Sequence, residues 1–421
     1  MPPADTPARV PTAGRVLYLS RDGLLDSLGQ SQILPYLEGL AALGHAVVLL
    51  TYEPNDARGE LAAMRARVER AGIRWIALRR HRRPRLLAAA WDLALGLWLA
   101  AIALRREKVQ IVHARSYVAG AMALVLTAVF GTRFLFDMRG FWADERVDAR
   151  LWAPAGRLYR TVKWLERRLL RRADAVVSLT NAARREIEKL PYLRDRSLRI
   201  DVIPTCVDLD RFVPPPAPAP DERGTRPLTL LYAGSVGTWY SLDEILGFFA
   251  ALRQAVPDAR LLMLTGTPPP DADAVRRRWG FDETVVRIDT VPFAAMPRQL
   301  VAGDVGIVLA PRSWANIARC PTKLGEYLAC GVPAVVTAGL GDAAALVEAE
   351  RVGVVVHDLS PAGYARAVAG LLPLLREAGL AERCRKVAER DFALAVGVQR
   401  YDGLYGRLLG TRSLRSGGHA A

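Results

Sequence analysis

The run from Arg319 to Val336 holds the residues best suited to chemistry. Pro321 fits the first turn of a helix. Thr322 and Lys323 then set backbone N–H groups, a hydroxyl and a cation at that helix start. Free amides at the positive end of a helix dipole form a diphosphate site, and a lysine strengthens it. Glu326 falls one turn on, on the same face. A carboxylate there can accept hydrogen bonds from vicinal ribose hydroxyls. Gly331 ends the helix, and Val332-Pro-Ala-Val-Val336 opens a strand.

Three other places could contribute. Gly234-Ser235-Val-Gly237 follows a short apolar run, and small residues let a backbone approach phosphate closely. It does not complete a Gly-x-Gly-x-x-Gly spacing, so dinucleotide redox chemistry is disfavoured. The segment Phe136 to Asp148 gathers Asp137, Arg139, Asp144 and Glu145 directly after a strand, where open α/β sheets bind ligands. Those charges either face a cleft or lock the loop through internal salt bridges. His113, at the end of another strand, is a cleft residue or a satisfied buried histidine. Cys206, Cys320, Cys330 and Cys384 lack metal-ligand or disulfide spacing and read as reduced thiols, so no metal site is expected.

The elements that must position these groups alternate regularly. Strands are expected at Arg15–Ser20, Ala46–Thr51, Val109–His113, Arg133–Asp137, Ala175–Thr180 and Ile200–Ile203, with helical stretches between. Proline-dense sequence from Val213 to Pro220 then breaks the pattern and marks a linker. It restarts with strands at Leu228–Ala233, Arg260–Leu264, Val285–Ile288, Val305–Leu309, Ala334–Thr337 and Gly353–Val356. The organisation expected is a loose leader (1–14), a first Rossmann-like α/β domain (15–212), a linker (213–226) and a second such domain (227–391). A final helix (392–410) returns to brace the first domain, and a loose tail (411–421) follows.

The net charge is +15 over 421 residues, which points to an anionic partner. No nucleic-acid motif or basic-aromatic platform accompanies it. The N-terminus lacks a secretory pattern, and a cytosolic protein is expected. Leu86 to Leu104 is apolar apart from Asp92, close to a membrane span in length, and reads as a core or interfacial helix. Arg157 to Arg172 sets Leu158, Val162, Leu165 and Leu169 opposite Arg160, Lys163, Arg167 and Arg171. Such a basic amphipathic helix lies on anionic lipid or packs its apolar face on a core.

The Pro-Thr-Lys-Leu-Gly-Glu-Tyr-Leu-Ala-Cys-Gly run beginning at Pro321 resembles glycosyltransferase family 4, whose members share the two-domain GT-B fold. Gly29-Gln30, Gly44-His45-Ala46-Val47, Val202 to Pro214 and Ala302 to Val308 resemble the family in the same order. The resemblance implies a retaining transfer from a nucleotide diphosphate sugar, held mainly by the second domain, with no cofactor. It matches Glu326 to the ribose-binding glutamate and the Thr322 and Lys323 amides to the diphosphate site. Two positions depart. Ala318 stands where many members have a second glutamate, and Gly234 to Ser241 lacks the usual arginine and lysine. Lys323 is then the first candidate for the countercharge, with Arg312 and Arg319 behind it. Arg139 or a neighbour stands in for the family's cleft histidine, which makes Lys323, Arg139 and Asp137 the catalytic candidates. Gly29, Gln30, His113, Asp144 and Glu145 fall on the acceptor side. By analogy the acceptor is a glycan or a lipid-linked sugar in bacterial surface polysaccharide or glycolipid synthesis, on the inner face of the cytoplasmic membrane. A nucleotide-sugar epimerase of the same fold, or a non-catalytic relative that only binds nucleotide or membrane, are the alternatives.

Overall fold

The structure is a computed structural model that describes residues 13–54, 58–81, 83–215, 226–237 and 240–415. Most of the expected leader, linker and tail, together with Arg82, Thr238 and Trp239, lie outside the described residues.

Seven strands form the first sheet: β1 (Arg15–Ser20), β2 (Ala46–Glu53), β3 (Arg74–Arg79), β4 (Ile111–Arg115), β5 (Arg133–Asp137), β6 (Ala175–Ser178) and β7 (Ile200–Val202). Their order is β3-β2-β1-β4-β5-β6-β7, parallel throughout. The second sheet has six: β8 (Thr229–Ala233), β9 (Arg260–Thr265), β10 (Val286–Thr290), β11 (Val305–Val308), β12 (Ala334–Thr337) and β13 (Gly353–Val356). It repeats the plan as β10-β9-β8-β11-β12-β13, again parallel. Helices cover both faces of each sheet, so the central strands are buried on both sides and read as unbroken apolar runs. The fold is α/β, two Rossmann-like domains.

β3 escapes the sequence pattern. It is an edge strand bounded by Arg74 and Arg79, half-buried along most of its length, and so lacks the apolar run of its neighbours. In each sheet the strand order reverses beside the first strand, between β1 and β4 and between β8 and β11. Such reversals leave a crevice at the strands' C-terminal ends.

The last helix, Leu394–Arg415, returns to the first domain. Val398, Tyr401, Leu404, Tyr405 and Leu408 are buried there among Tyr18, Leu37 and Leu40. Gly39 lets the backbones meet, since a β-carbon there would lie 2.6 Å from Val398. The crossing is pinned by backbone hydrogen bonds, Val207 N–H to the Phe392 carbonyl (2.7 Å) and Leu394 N–H to the Val207 carbonyl (2.9 Å).

The helix Arg85–Arg106 is long and apolar enough to cross a membrane, yet here it lies on the sheet. Ala100, Ala103 and Leu104 are buried in the core, and Asp92 is tied inward by Arg21 (3.2 Å) and His81 (2.6 Å).

Candidate active site

Between the C-terminal ends of the two sheets lies a cleft of about 700 Å³. Its second-domain wall is the helix Thr322–Ala329 with the loop after β8. Pro321 stands at the N-cap of that helix with extended backbone, one residue before the expected first turn. The helix is anchored from behind: the fully buried Tyr327 hydroxyl accepts the Ala233 N–H at 2.8 Å, which ties the helix to the end of β8.

Lys323 and Glu326 both line the cleft and are only 8% exposed. The Lys323 ammonium donates to the Tyr232 hydroxyl (3.0 Å) and sits 3.6 Å from the Tyr240 ring centre and 4.1 Å from that of Tyr232. Tyr232 donates in turn to the Ser235 carbonyl. Burial pulls the Lys323 pKa down to about 7 against the attraction of Glu326. Burial likewise lifts Glu326 to about 7 against Lys323 and Arg211. An oxyanion beside Lys323 would restore the stabilisation that burial removes.

Gly234 has φ +122°, and a β-carbon there would stand 3.3 Å from the Lys323 nitrogen, so glycine keeps the approach to the lysine open. Ser235, Thr322 and Arg319 also line the cleft. Gly237 does not: its N–H donates to the Tyr240 carbonyl (2.9 Å), closing the turn that carries Tyr240 to Lys323. The two tyrosines escape the sequence reading because Tyr232 looks like strand core and Tyr240 like loop filler.

On the first-domain wall, Arg139, Arg115, Asp22, Gln32 and Glu145 line the cleft. Asp137 does not; it is 1% exposed and lies behind the wall. It faces Arg115 and Arg139, each at 3.7 Å, and accepts the Tyr401 hydroxyl at 3.2 Å. Burial works to raise its pKa, but Arg139, His113 and Arg115 outweigh it and hold the group at about 2. Arg139 stays protonated, since Asp137 and the surrounding tyrosine oxygens more than offset its own burial. Asp137 therefore positions Arg139 and does not itself reach a ligand.

His113 is a buried histidine and no cleft residue. It is 1% exposed beneath the last helix, with Nδ1 2.7 Å from the Tyr405 hydroxyl and its ring 4.4 Å from that of Tyr18. Burial lowers its pKa against the pull of Asp137. Asp144 also turns away from the cleft, accepting from Tyr159 and Lys163, each at 3.0 Å. Glu145 stays at the cleft, 3.8 Å from Arg319 across the domain boundary, and burial raises its pKa against that arginine. Gly29 is buried where the chain passes close to the Gly23 carbonyl, and Gln30 borders a side crevice behind Glu326. Ser31 and Gln32, next along the chain, line the cleft instead, and Gln32 is the buried one of the two. Its Oε1 is buried without a hydrogen-bond partner, and the Arg115 Nε lies 3.7 Å from the Asp22 carboxylate. For Arg115 the sequence signal is a charge closing an apolar strand.

The domains touch beside the site. Thr180 and Thr205 donate to the Ile317 (2.6 Å) and Cys320 (2.9 Å) carbonyls, and Trp314 stacks on Phe141 with centroids 4.6 Å apart. The turn Trp314–Ala318 thereby buries Ala315 and Ala318 in the first domain's core. Ala318 is 3% exposed and packs in that apolar cluster, so a glutamate at this position would bury its carboxylate in a hydrophobic core. Ala318→Glu is expected to cost about 3 kcal/mol in urea unfolding and to bring no gain in activity, because it buries an unpaired carboxylate.

Residues 30–206 match the glycosyl transferase 4-like domain and residues 227–373 the glycosyl transferases group 1 domain. The chain is a family 4-like glycosyltransferase. A curated relative, D-inositol 3-phosphate glycosyltransferase 2 of Catenulispora acidiphila, is 29% identical over 214 residues. The match spans about half of this chain and about half of that relative, 48% of each. Among solved structures, a glycosyltransferase from Rickettsia africae superposes with a TM-score of 0.69 at 15% identity, covering 94% of this chain and 99% of that one. Sucrose-phosphate synthase from Thermosynechococcus elongatus gives 0.67 at 18% identity (94% and 100% covered). Anabaena HepE in complex with UDP and glucose gives 0.66 at 13% (94% and 100%). At these identities the structures establish the GT-B fold of this glycosyltransferase.

Proposed function

We propose that this glycosyltransferase moves a sugar from a nucleotide diphosphate sugar to a glycan or lipid-linked acceptor, with retention at the anomeric carbon. The observation that carries the reading is the caged Lys323 at the start of the Thr322–Ala329 helix, with Glu326 one turn on in the same cleft. Glu326 takes the ribose hydroxyls. The Thr322 and Lys323 amides, the Lys323 ammonium and the backbone at Gly234 and Ser235 take the diphosphate, with Arg319 beside them. The Anabaena neighbour in complex with UDP-glucose supports a donor of this class.

In the proposed reaction the acceptor hydroxyl attacks the anomeric carbon as the sugar–phosphate bond breaks. Its proton passes to the departing diphosphate oxygen on the same face, while Lys323 and the helix amides hold the released charge. Arg139 and Arg115 stand on the acceptor side, and Asp137 fixes Arg139. No cofactor enters this balance. Epimerisation would need acid/base groups around the sugar, and the sealed position of His113 favours transfer. Work on surface polysaccharide or glycolipid precursors, at the cytoplasmic side of the membrane, fits an acceptor of this kind.

The test is a panel of UDP-, GDP-, ADP- and TDP-sugars scored by melting temperature, followed by NMR of the product's anomeric proton. One nucleotide sugar should stabilise the protein selectively, and the product should keep the donor's configuration. Release of free sugar to water alone, or an inverted product, would overturn the reading.

Donor affinity should also be bell-shaped in pH. Raising pH through about 7 strips the proton from Lys323, and lowering it through about 7 neutralises Glu326. Calorimetric titration should find the tightest binding near neutrality and a fall of roughly tenfold per unit further out on either side.

A further inference from the structure

Three helices, Arg85–Arg106, Ser116–Phe130 and Arg157–Arg172, lie side by side on one face of the first sheet and share one core. Their outer side is unusual. Of thirteen large apolar side chains exposed among the described residues, seven stand on these helices: Leu87, Trp91, Trp98, Val125, Val129, Leu158 and Trp164. The helices make up about an eighth of the chain, so the clustering is not an ordinary scatter of surface apolar residues. Leu158 belongs to this outer set, although the helical pattern alone would turn it inward with Val162 and Leu169. Between the first two helices a shallow apolar groove of about 430 Å³ opens beside Trp98, Ile102, Val125 and Val129.

The charge on the layer has one sign outward. The three helices carry ten lysines and arginines and two acids. Both acids, Asp92 and Glu166, are 1% exposed and point inward: Asp92 to Arg21 and His81, Glu166 to Tyr117 and Lys163. Arg105, Arg106, Arg157, Arg160, Arg168 and Arg171 are exposed around the apolar set. The Arg168 guanidinium lies 4.5 Å from the Trp164 ring centre, a packing that leaves its charge at the rim.

We propose that this three-helix layer docks on the surface of an anionic lipid bilayer. Tryptophan rings seat at the headgroup boundary and aliphatic side chains reach just below it, while arginines around them bind anionic headgroups. A soluble protein partner would have to match three exposed tryptophans set in an all-basic frame; a fluid anionic surface matches them without a complementary shape. The layer also lies correctly for an acceptor carried by lipid. Two of its helices, Arg85–Arg106 and Ser116–Phe130, follow the C-terminal ends of β3 and β4, and Asp92 fastens the Leu87–Trp91 end to Arg21, next to the cleft residue Asp22. Docking needs no turnover and stands apart from the transfer reaction.

The experiment is co-sedimentation of the full chain with phosphatidylcholine vesicles, with and without phosphatidylglycerol, at low and high salt. Binding is expected on the anionic vesicles, weakened by salt, with little on the neutral ones. The Trp91→Ala/Trp98→Ala variant should lower the partition coefficient at least roughly tenfold. Arg105→Glu/Arg168→Glu should lower it by about fivefold or more per site while leaving the tryptophans in place. These side chains are exposed, so circular dichroism should confirm unchanged folding. Lys323→Met should pellet like the wild type, which separates docking from donor chemistry. Absence of binding to either vesicle would overturn the proposal. So would full binding by the tryptophan variant. A dimer in analytical ultracentrifugation that the tryptophan substitutions dissolve, with no vesicle binding, would assign the face to a second copy instead.

Discussion

Lys323→Met is expected to leave the ligand-free protein at least as stable as the wild type while lowering kcat/KM about a thousandfold. The two effects separate because they come from different states. In the free protein the ammonium is held between Tyr232 and Tyr240, away from water, and burial draws its pKa from 10.5 to about 7. A folded pKa below the unfolded one means that this lysine weakens folding at neutral pH, and its contribution improves as pH rises from about 7 towards 10.5. Glu326 mirrors it: its folded pKa of about 7 stands above the ordinary 4.5, so its contribution falls as pH rises between those values. Together they make the ligand-free site least stable near neutrality, where the burial penalties of the two groups overlap and each is about half-ionised. Methionine keeps the length and removes the cost of burial, but it gives the diphosphate nothing. Urea midpoints beside initial rates would check both halves. Normal turnover in Lys323→Met would move the countercharge to Arg319 and remove Lys323 from the mechanism.

Asp137→Asn should be the most damaging single change away from the donor wall. One carboxylate answers the buried Arg115 and the partly buried Arg139 and accepts from Tyr401 on the returning helix. Removing its charge leaves two guanidinium groups in a low-dielectric pocket with only Asp22 beside Arg115. The expected cost is about 3–5 kcal/mol, the usual consequence of breaking a buried charge cluster from one side. For a domain of this size that is a drop in melting temperature on the order of 10 °C. Tyr401→Phe removes one neutral donor from the same carboxylate and should cost only about 1 kcal/mol. In the wild type the carboxylate's contribution is present above its ordinary pKa of 3.8 and is lost as pH falls towards about 2. Scanning calorimetry on the three proteins would show the ranking; equal melting temperatures for Asp137→Asn and wild type would refute the charge argument.

Much of this architecture was legible because parallel sheets advertise themselves. Strands such as β1 and β8 are buried on both faces and spell unbroken apolar runs, so twelve of the thirteen strands could be located in outline. β3 could not, since an edge position tolerates arginine at both ends and asks for no such run. At the site, Lys323 and Glu326 were legible because one helix sets their spacing. Tyr232, Tyr240, Arg115 and Gln32 were not, because they reach the cleft from separate elements that only the strand order brings together. His113 shows the converse limit. A histidine closing a strand looks available until a helix nearly three hundred positions further along, bearing Tyr405 292 residues away, is laid over it. Ala318 departs from the family pattern in the sequence, but the reason, burial against the other domain, belongs to tertiary structure alone.

The returning helix also sets a schedule for synthesis. The first domain's sheet is complete at Val202, yet Val398, Tyr401 and Tyr405 fill its core only after the whole second domain has been made. At ribosomal speeds of about 5–20 residues per second, that delay is on the order of ten to forty seconds. During this interval the pocket around Tyr18, His113 and Asp137 has no lid, and a groove meant for an apolar helix face stands open to water. A nascent chain of this design needs either fast completion or an attendant chaperone. Slowing translation within the second domain should therefore raise aggregation of the first, although no residue of the first has changed.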